Sequence, residues 1–344
     1  MDRLLVVDLA ASSRNWALTP EGERRLVDSA PDGWRVHVIR APTSSDGDGP
    51  PRPSDEVMTA VRDAEVYFGF GMPKPLFLQA AALRWVHSAA AGVGSALYPE
   101  MVASNVLFTN SAGIHAIPIA EYVIGGVLYF LRGFDFAVDQ QRRREWNKTP
   151  FVRVDSVLRE MDTVRALIIG VGGLGGATAQ RLAALGARCT GVRRRVGLGA
   201  PAGFERVVPL DQLDAELPRH DVIVMAAPLT TETSGLLTAA RLDLLPESAI
   251  VVNVARGAMV DEIALIERLQ AGRLRGVVLD VFRQEPLPST HPLWRLRNVL
   301  LTPHVSPVSP GRFWPRQLDL FLGNWSRYLR GDSLLNVVDK QAGY

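Results

Sequence analysis

The stretch that decides the fold is Val164-Arg165-Ala166-Leu167-Ile168-Ile169-Gly170-Val171-Gly172-Gly173-Leu174-Gly175. An apolar run ends in a glycine loop, and a helix-like segment follows as far as about Gly186. That is the strand, turn and helix order a dinucleotide-binding loop requires. Gly170 permits the tight turn, Gly172 lets the main chain approach a pyrophosphate, and Gly175 lets the helix pack closely. The helix N-terminus favours phosphate charge, so Gly170, Gly172, Leu174 and Gly175 are the candidate phosphate positions. A structural turn that binds nothing competes with this interpretation of the loop alone.

Outward from this point, strand-like runs recur at 164–169, 188–192, 222–226, 249–254, 276–281 and 299–302, with helical stretches between them. Six such runs describe a doubly wound parallel sheet. Upstream, residues 1 to about 110 alternate short apolar runs (4–7, 36–39, 66–70, 85–87, 106–109) with loop or helix-like segments, a smaller α/β domain. Residues 114–131 read as a helix apolar nearly all round, expected to be buried between domains or against another subunit. Beyond Gly311, Phe313, Trp314, Phe321, Trp325 and Tyr328 have helical spacing and are expected to pack on the first domain, leaving a cleft between two domains. Residues 41–54, rich in Pro, Gly, Ser and Asp, read as an exposed loop.

Bulk properties agree. A chain of 344 residues exceeds what one core usually organises. Its 47% apolar and 22% charged residues are those of a folded globular protein, not a disordered one. A formal charge of +2 points to neither nucleic acid nor an anionic membrane. The single cysteine, Cys189, excludes an intramolecular disulfide and a cysteine-based zinc site, and suits the cytoplasm. The N-terminal apolar run reads as a first strand, being too short for a signal peptide, and run 122–131 falls short of the roughly 20 residues that span a bilayer. His37, His87, His115, His220 and His291 show no ligand-like spacing, so no metal site is expected.

Three residues follow three apolar runs: Arg256 in Asn253-Val254-Ala255-Arg256-Gly257, Glu285 after Asp280-Val281-Phe282, and His304 after Leu300-Leu301-Thr302-Pro303. Ligands of open α/β sheets collect at such strand ends. An arginine fork suits a carboxylate and the neighbouring carbonyl oxygen; a histidine suits proton donation to a carbonyl under reduction; a carboxylate orients that histidine. Singly, each has an ordinary alternative as a surface charge, a loop acid or a buried histidine. Residues 85–94 run from a strand into a small-residue loop, where the amides of Ala91, Gly92 and Val93 are candidates to hold a carboxylate. Phe68-Gly69-Phe70-Gly71-Met72-Pro73 is a candidate pocket wall, with core packing as its alternative. After run 188–192 the chain reads Arg193-Arg194-Arg195, where an acid would bind the ribose of NAD. Arginines there suit a 2′-phosphate, so NADP(H) is preferred and NAD(H) stays open. Residues 140–144 read as a solvated helix face.

These segments, with Thr109-Asn110-Ser111-Ala112-Gly113, Ala120-Glu121-Tyr122 and Ala226-Ala227-Pro228-Leu229-Thr230, resemble those of the D-isomer-specific 2-hydroxyacid dehydrogenases, which include glyoxylate and hydroxypyruvate reductases. The resemblance covers about 84–309. It implies two Rossmann-like domains, with a dinucleotide-binding domain (112–307) inserted into a substrate domain (1–111 and 308–344), and a homodimer formed through the helix near 114–131. It also implies that Arg256 binds substrate, that His304 is the acid/base and Glu285 its partner. By the same resemblance Asp280 and the backbone near Val254 hold the nicotinamide end, and Ala227, Pro228 and Thr233 line the adenosine side. Two positions depart from the family: Gly94, where an acidic residue is frequent, and Arg193, which replaces the usual acid. The expected reaction is hydride transfer between NADP(H) and C2 of a small 2-oxo acid. A nucleotide-sensing corepressor-like protein, or a dehydrogenase of a donor such as phosphite or formate, are the alternatives.

Overall fold

The computed structural model describes residues 2–11, 16–41, 52–153, 156–194 and 196–343. The chain divides into two compact units, one of Met1–Ile114 with Ser309–Tyr344 and one of His115–Val308. Segment 41–54 lies largely outside the described residues; its end, Ser54, caps the helix Asp55–Ala60, its Oγ accepting from the Val57 amide.

The first unit holds five parallel strands, β1 (Arg3–Asp8), β2 (Trp34–Val38), β3 (Val66–Gly69), β4 (Trp85–Ser88) and β5 (Leu107–Asn110), in the order β2-β1-β3-β4-β5. The central strands β3 and β4 are buried on both faces, so no exposed polar residue alternates along them, and the polar His87 and Ser88 of β4 are buried as well. The helix Phe313–Arg330 lays Trp314, Leu318, Phe321 and Trp325 on this unit along one helical stripe. Phe321 stacks on Phe68 at 4.0 Å and Trp325 meets Trp34 edge-on at 4.6 Å.

The second unit holds β6 (Arg165–Ile169), β7 (Arg188–Val192), β8 (Arg206–Val208), β9 (Val222–Met225), β10 (Ile250–Asn253), β11 (Gly276–Leu279) and β12 (Val299–Leu301). They form one parallel sheet in the order β12-β11-β10-β9-β6-β7-β8. The chain walks from β6 to one edge, returns beside β6 at β9, and walks to the other edge. The crevice at the carboxyl ends of β6 and β9 is thus the topological switch point, where doubly wound sheets bind ligands. Six apolar runs pointed to six strands; the seventh, β8, has three residues, opens on an exposed arginine and is followed by Pro209, too little sequence to show a period.

Helix Ala116–Leu131 buries Ala120, Val123, Gly126, Val127 and Phe130 within its own unit, while Ile117 is 40% exposed. A Cβ on Gly126 would come within 2.8 Å of the Val278 side chain, which shows how closely the helix lies on β11. Among the described residues no single helix is long and apolar enough to cross a membrane.

Candidate active site

The glycine loop follows β6 and opens the helix Gly173–Ala184. Gly170 has φ +109°, and a Cβ there would meet the Ala226 and Ala227 main chain at 2.6 Å; on Gly175 it would meet the Gly170 carbonyl oxygen at 1.8 Å. Both glycines are required by the fold alone. Gly172 is different, because nothing lies within 4 Å of the Cβ position, so its backbone is open to a ligand. No side chain caps the helix, Leu174 lies in its first turn, and its first amides are donors without intrahelical partners. These groups fit a pyrophosphate. Ala227 and Pro228 lie beyond β9 beside this loop, and Thr233 shapes them: its Oγ1 donates to the Pro228 carbonyl at 2.7 Å and accepts from the Thr230 amide at 2.7 Å.

Arg193 and Arg194 follow β7, where no acid is present; Arg195 lies outside the described residues. The Arg193 guanidinium donates to the Gly199 carbonyl at 2.6 Å, and its buried Nε has no partner among the described residues. Arg194 faces Glu232 at 3.6 Å. A buried guanidinium NH in want of an acceptor fits a phosphate nearby.

Arg256, Glu285 and His304 leave the adjacent strands β10, β11 and β12. Asn253, 1% exposed, builds the first loop: its Oδ1 accepts from the Ala255 amide at 3.1 Å and its Nδ2 donates to the Arg256 carbonyl at 3.0 Å. The exposed Arg256 side chain donates from one nitrogen to the Ala255 carbonyl at 2.7 Å. Val254 is buried just beyond β10. Gly257 lies against the Phe282–Arg283 main chain, where a Cβ would sit 2.0 Å from a carbonyl carbon. The loops of Arg256 and Glu285 are thereby locked together.

Glu285 bridges this loop to the histidine. One oxygen accepts from the Phe282 amide at 2.9 Å, and the other meets His304 Nδ1 at 2.8 Å. A carboxylate only accepts, so Nδ1 carries the hydrogen and Nε2 is left for chemistry. His304 itself has φ +53°, rare for a side-chain-bearing residue, and its side chain is 44% exposed. Asp280 holds that turn. Fully buried, it accepts from Thr302 Oγ1 at 2.5 Å and from the Val305 and Ser306 amides at 2.8 and 2.9 Å, while its carbonyl takes the His304 amide at 2.9 Å. Asp280 thus anchors the histidine loop. Tyr122, from helix Ala116–Leu131, reaches Thr302 Oγ1 at 2.7 Å, and burial pushes its phenol up to about 12. Asn253, Tyr122 and Thr302 went unassigned in the sequence. Among the described residues no group of three or more His, Cys, Asp or Glu is placed to hold a metal ion.

In the other unit, the loop after β4 carries Ala91, Gly92 and Val93. Their amides donate to no acceptor among the described residues, whereas the Ala91 carbonyl is taken by Asn110 Nδ2 at 2.8 Å and the Ala90 carbonyl by the Ser111 amide at 3.2 Å. Three successive free amides on a loop tied down from behind are suited to a carboxylate. Of the proposed pocket wall, Phe68 and Met72 are core; Phe70 is 39% exposed and lies 6.5 Å from the Trp314 ring.

Comparison with known proteins follows the same lines. A family model described as D-isomer specific 2-hydroxyacid dehydrogenase, NAD binding domain, matches residues 124–306. The chain is 32% identical over 280 residues to a glyoxylate/hydroxypyruvate reductase A of Salmonella paratyphi B, covering 79% of this chain and 85% of that one. Among solved structures it is similar to a D-isomer specific 2-hydroxyacid dehydrogenase from Xanthobacter autotrophicus Py2 in complex with NADPH and MES, with TM-score 0.80, 29% identity and full coverage of both chains. It is also similar to an NADPH-dependent glyoxylate/hydroxypyruvate reductase from Sinorhizobium meliloti in complex with NADP and sulfate, with TM-score 0.78, 27% identity and full coverage of both.

Proposed function

The chain belongs to the D-isomer specific 2-hydroxyacid dehydrogenase family and is a nicotinamide-dependent oxidoreductase, and we propose that it reduces a small 2-oxo acid, of the glyoxylate or hydroxypyruvate kind, to the D-2-hydroxy acid with NADP(H) as preferred cofactor. The pair His304 and Glu285 carries the proposal. With Nδ1 committed to the carboxylate, the imidazolium gives its Nε2 proton to the carbonyl oxygen as charge develops there. A nicotinamide, when bound, supplies the hydride that C2 accepts. Arg256 uses one nitrogen on Ala255 and keeps the rest of its fork for the substrate's carboxylate and carbonyl oxygen. The free amides of Ala91, Gly92 and Val93 are the proposed partners of the carboxylate. Preference for NADP(H) is supported by Arg193 and Arg194 in place of an acid, and by the NADPH and NADP carried by the two similar structures.

Two further expectations belong to this proposal. Ile124, Ala184 and Leu185, rimmed by the paired Glu121 and Arg181, line a partly exposed surface beside helix Ala116–Leu131, which supports a homodimer through that helix, checked by light scattering in solution. A single buried cysteine suits a cytoplasmic protein. The deciding experiment is oxidation of NADPH and NADH by purified protein with glyoxylate, hydroxypyruvate, pyruvate and bulkier aryl or branched 2-oxo acids. Turnover with NADPH preferred, lowered about 10²- to 10⁴-fold by His304→Ala, is the expected result. Cofactor binding without turnover of any oxo acid would favour a nucleotide-sensing protein instead.

A further inference from the structure

We infer that Tyr122 and Thr302 are positioning residues for the reaction: a directed hydrogen-bond relay, Tyr122 to Thr302 to Asp280, holds the His304 loop in its left-handed turn. The inference rests on the proposal that His304 is the proton donor.

The direction of the relay follows from counting hydrogens. The Asp280 carboxylate only accepts, so at 2.5 Å the Thr302 hydroxyl must spend its single hydrogen on it. Tyr122, 2.7 Å from the same hydroxyl oxygen, is then the donor, and a phenol pushed up by burial keeps that proton throughout the working range. The other acceptor sites of Asp280 take the amides of Val305 and Ser306, the residues just beyond His304, while its main-chain carbonyl takes the His304 amide. One buried acid therefore holds the histidine loop by three amides, and the relay fixes the orientation of that acid from the far side.

The geometry has a reason to need this. His304 adopts φ +53°, a strained conformation for a residue with a Cβ that persists only where its surroundings over-determine it. Glu285 orients the ring from one side, but it cannot hold the main-chain turn. Without the relay Asp280 keeps its amides yet loses the contact that sets its rotamer, and the imidazole drifts from its working position.

The test uses the full chain, with glyoxylate and NADPH. Tyr122→Phe is expected to lower kcat about 10-fold, and Thr302→Val about 10- to 100-fold, with the KM for NADPH within about twofold of the parent. Thr302→Ser, which keeps the hydroxyl, recovers most of the loss. Because the relay acts through His304, neither Tyr122→Phe nor Thr302→Val lowers the residual rate further in a His304→Ala background, whereas a general structural defect would lower it again. Parental turnover by Tyr122→Phe, or a full additional loss in the His304→Ala background, overturns the relay. A crippled His304→Ala beside unaffected relay variants overturns the relay alone; full activity of His304→Ala overturns both the proton-donor role and the relay.

Discussion

Gly257→Ala tests whether the Arg256 and Glu285 loops are locked together by main-chain contact. The added Cβ would lie 2.0 Å from the Phe282 carbonyl carbon, 2.2 Å from its oxygen and 2.4 Å from the Arg283 nitrogen. All three are backbone atoms, so no side chain can rotate away. Ordinary contact begins near 3.4 Å, and a gap of about 1.4 Å must open between the loops. Neither side can absorb it freely. Asn253 holds the Arg256 carbonyl at 3.0 Å, and Glu285 holds the Phe282 amide at 2.9 Å while it orients His304, so the displacement moves either Arg256 or the His304 pair. A misplacement of about 1 Å costs on the order of 10²-fold in rate, equivalent to about 2.7 kcal/mol of barrier. Overpacking is expected to cost a further 1–3 kcal/mol, roughly, in stability. The assay is kcat/KM for the oxo acid beside an NADPH titration by fluorescence and thermal unfolding. Gly323→Ala serves as the control: its Cβ meets nothing within 4 Å on the helix Phe313–Arg330, so it should leave the rate unchanged and stabilise by about 0.5–1 kcal/mol. A folded, NADPH-binding Gly257→Ala with parental kcat/KM would show that the loops are not coupled as described.

Three other perturbations separate the parts of the site. Gly172→Ala, at a position with open space, should leave thermal stability within about 0.5 kcal/mol yet raise the KM for NADPH about 10-fold or more, because the methyl occupies the path of a pyrophosphate; an unchanged KM would place the phosphates elsewhere. Replacing Arg193 and Arg194 by alanine removes charge-assisted donors worth about 1.5–3 kcal/mol, so kcat/KM with NADPH should fall about 10- to 100-fold while that with NADH changes little; equal losses with both cofactors would refute a 2′-phosphate role. Burial lowers His87 to about 3, against about 6.5 in an unfolded chain. Between those values only the unfolded chain takes the proton, so stability falls as pH falls, by about 1.4 kcal/mol per pH unit from this residue. Urea unfolding at several pH values should show a shallower acid loss for His87→Gln, and identical slopes would mean that His87 titrates normally.

The parts of this protein that were legible in its sequence are those written locally. Strands buried on both faces are largely apolar, so β6, β7, β9, β10 and β11 stood out as runs, as did the half-buried but wholly apolar edge strand β12, whereas β8, three residues at the other edge, carried no such signature. The rule that ligands gather at strand ends singled out Arg256, Glu285 and His304, and the structure places them in the loops that follow the neighbouring strands β10, β11 and β12. What sets their mutual geometry is tertiary. Gly257 is visible as a letter in a motif, but its reason, the approach to Phe282, exists only once β10 and β11 are side by side. Tyr122 stands 180 positions from Thr302 and meets it because a helix of small and apolar residues lies close on β11. Asp280 entered through the resemblance as a residue of the nicotinamide end, and its tie to the histidine loop is a second matter that only the folded loop shows, with its oxygens turned to Thr302, Val305 and Ser306. Reactive groups must be exposed and of particular chemical types, which sequence displays; the groups that hold them need only reach, and reach is decided by packing between elements far apart in the chain.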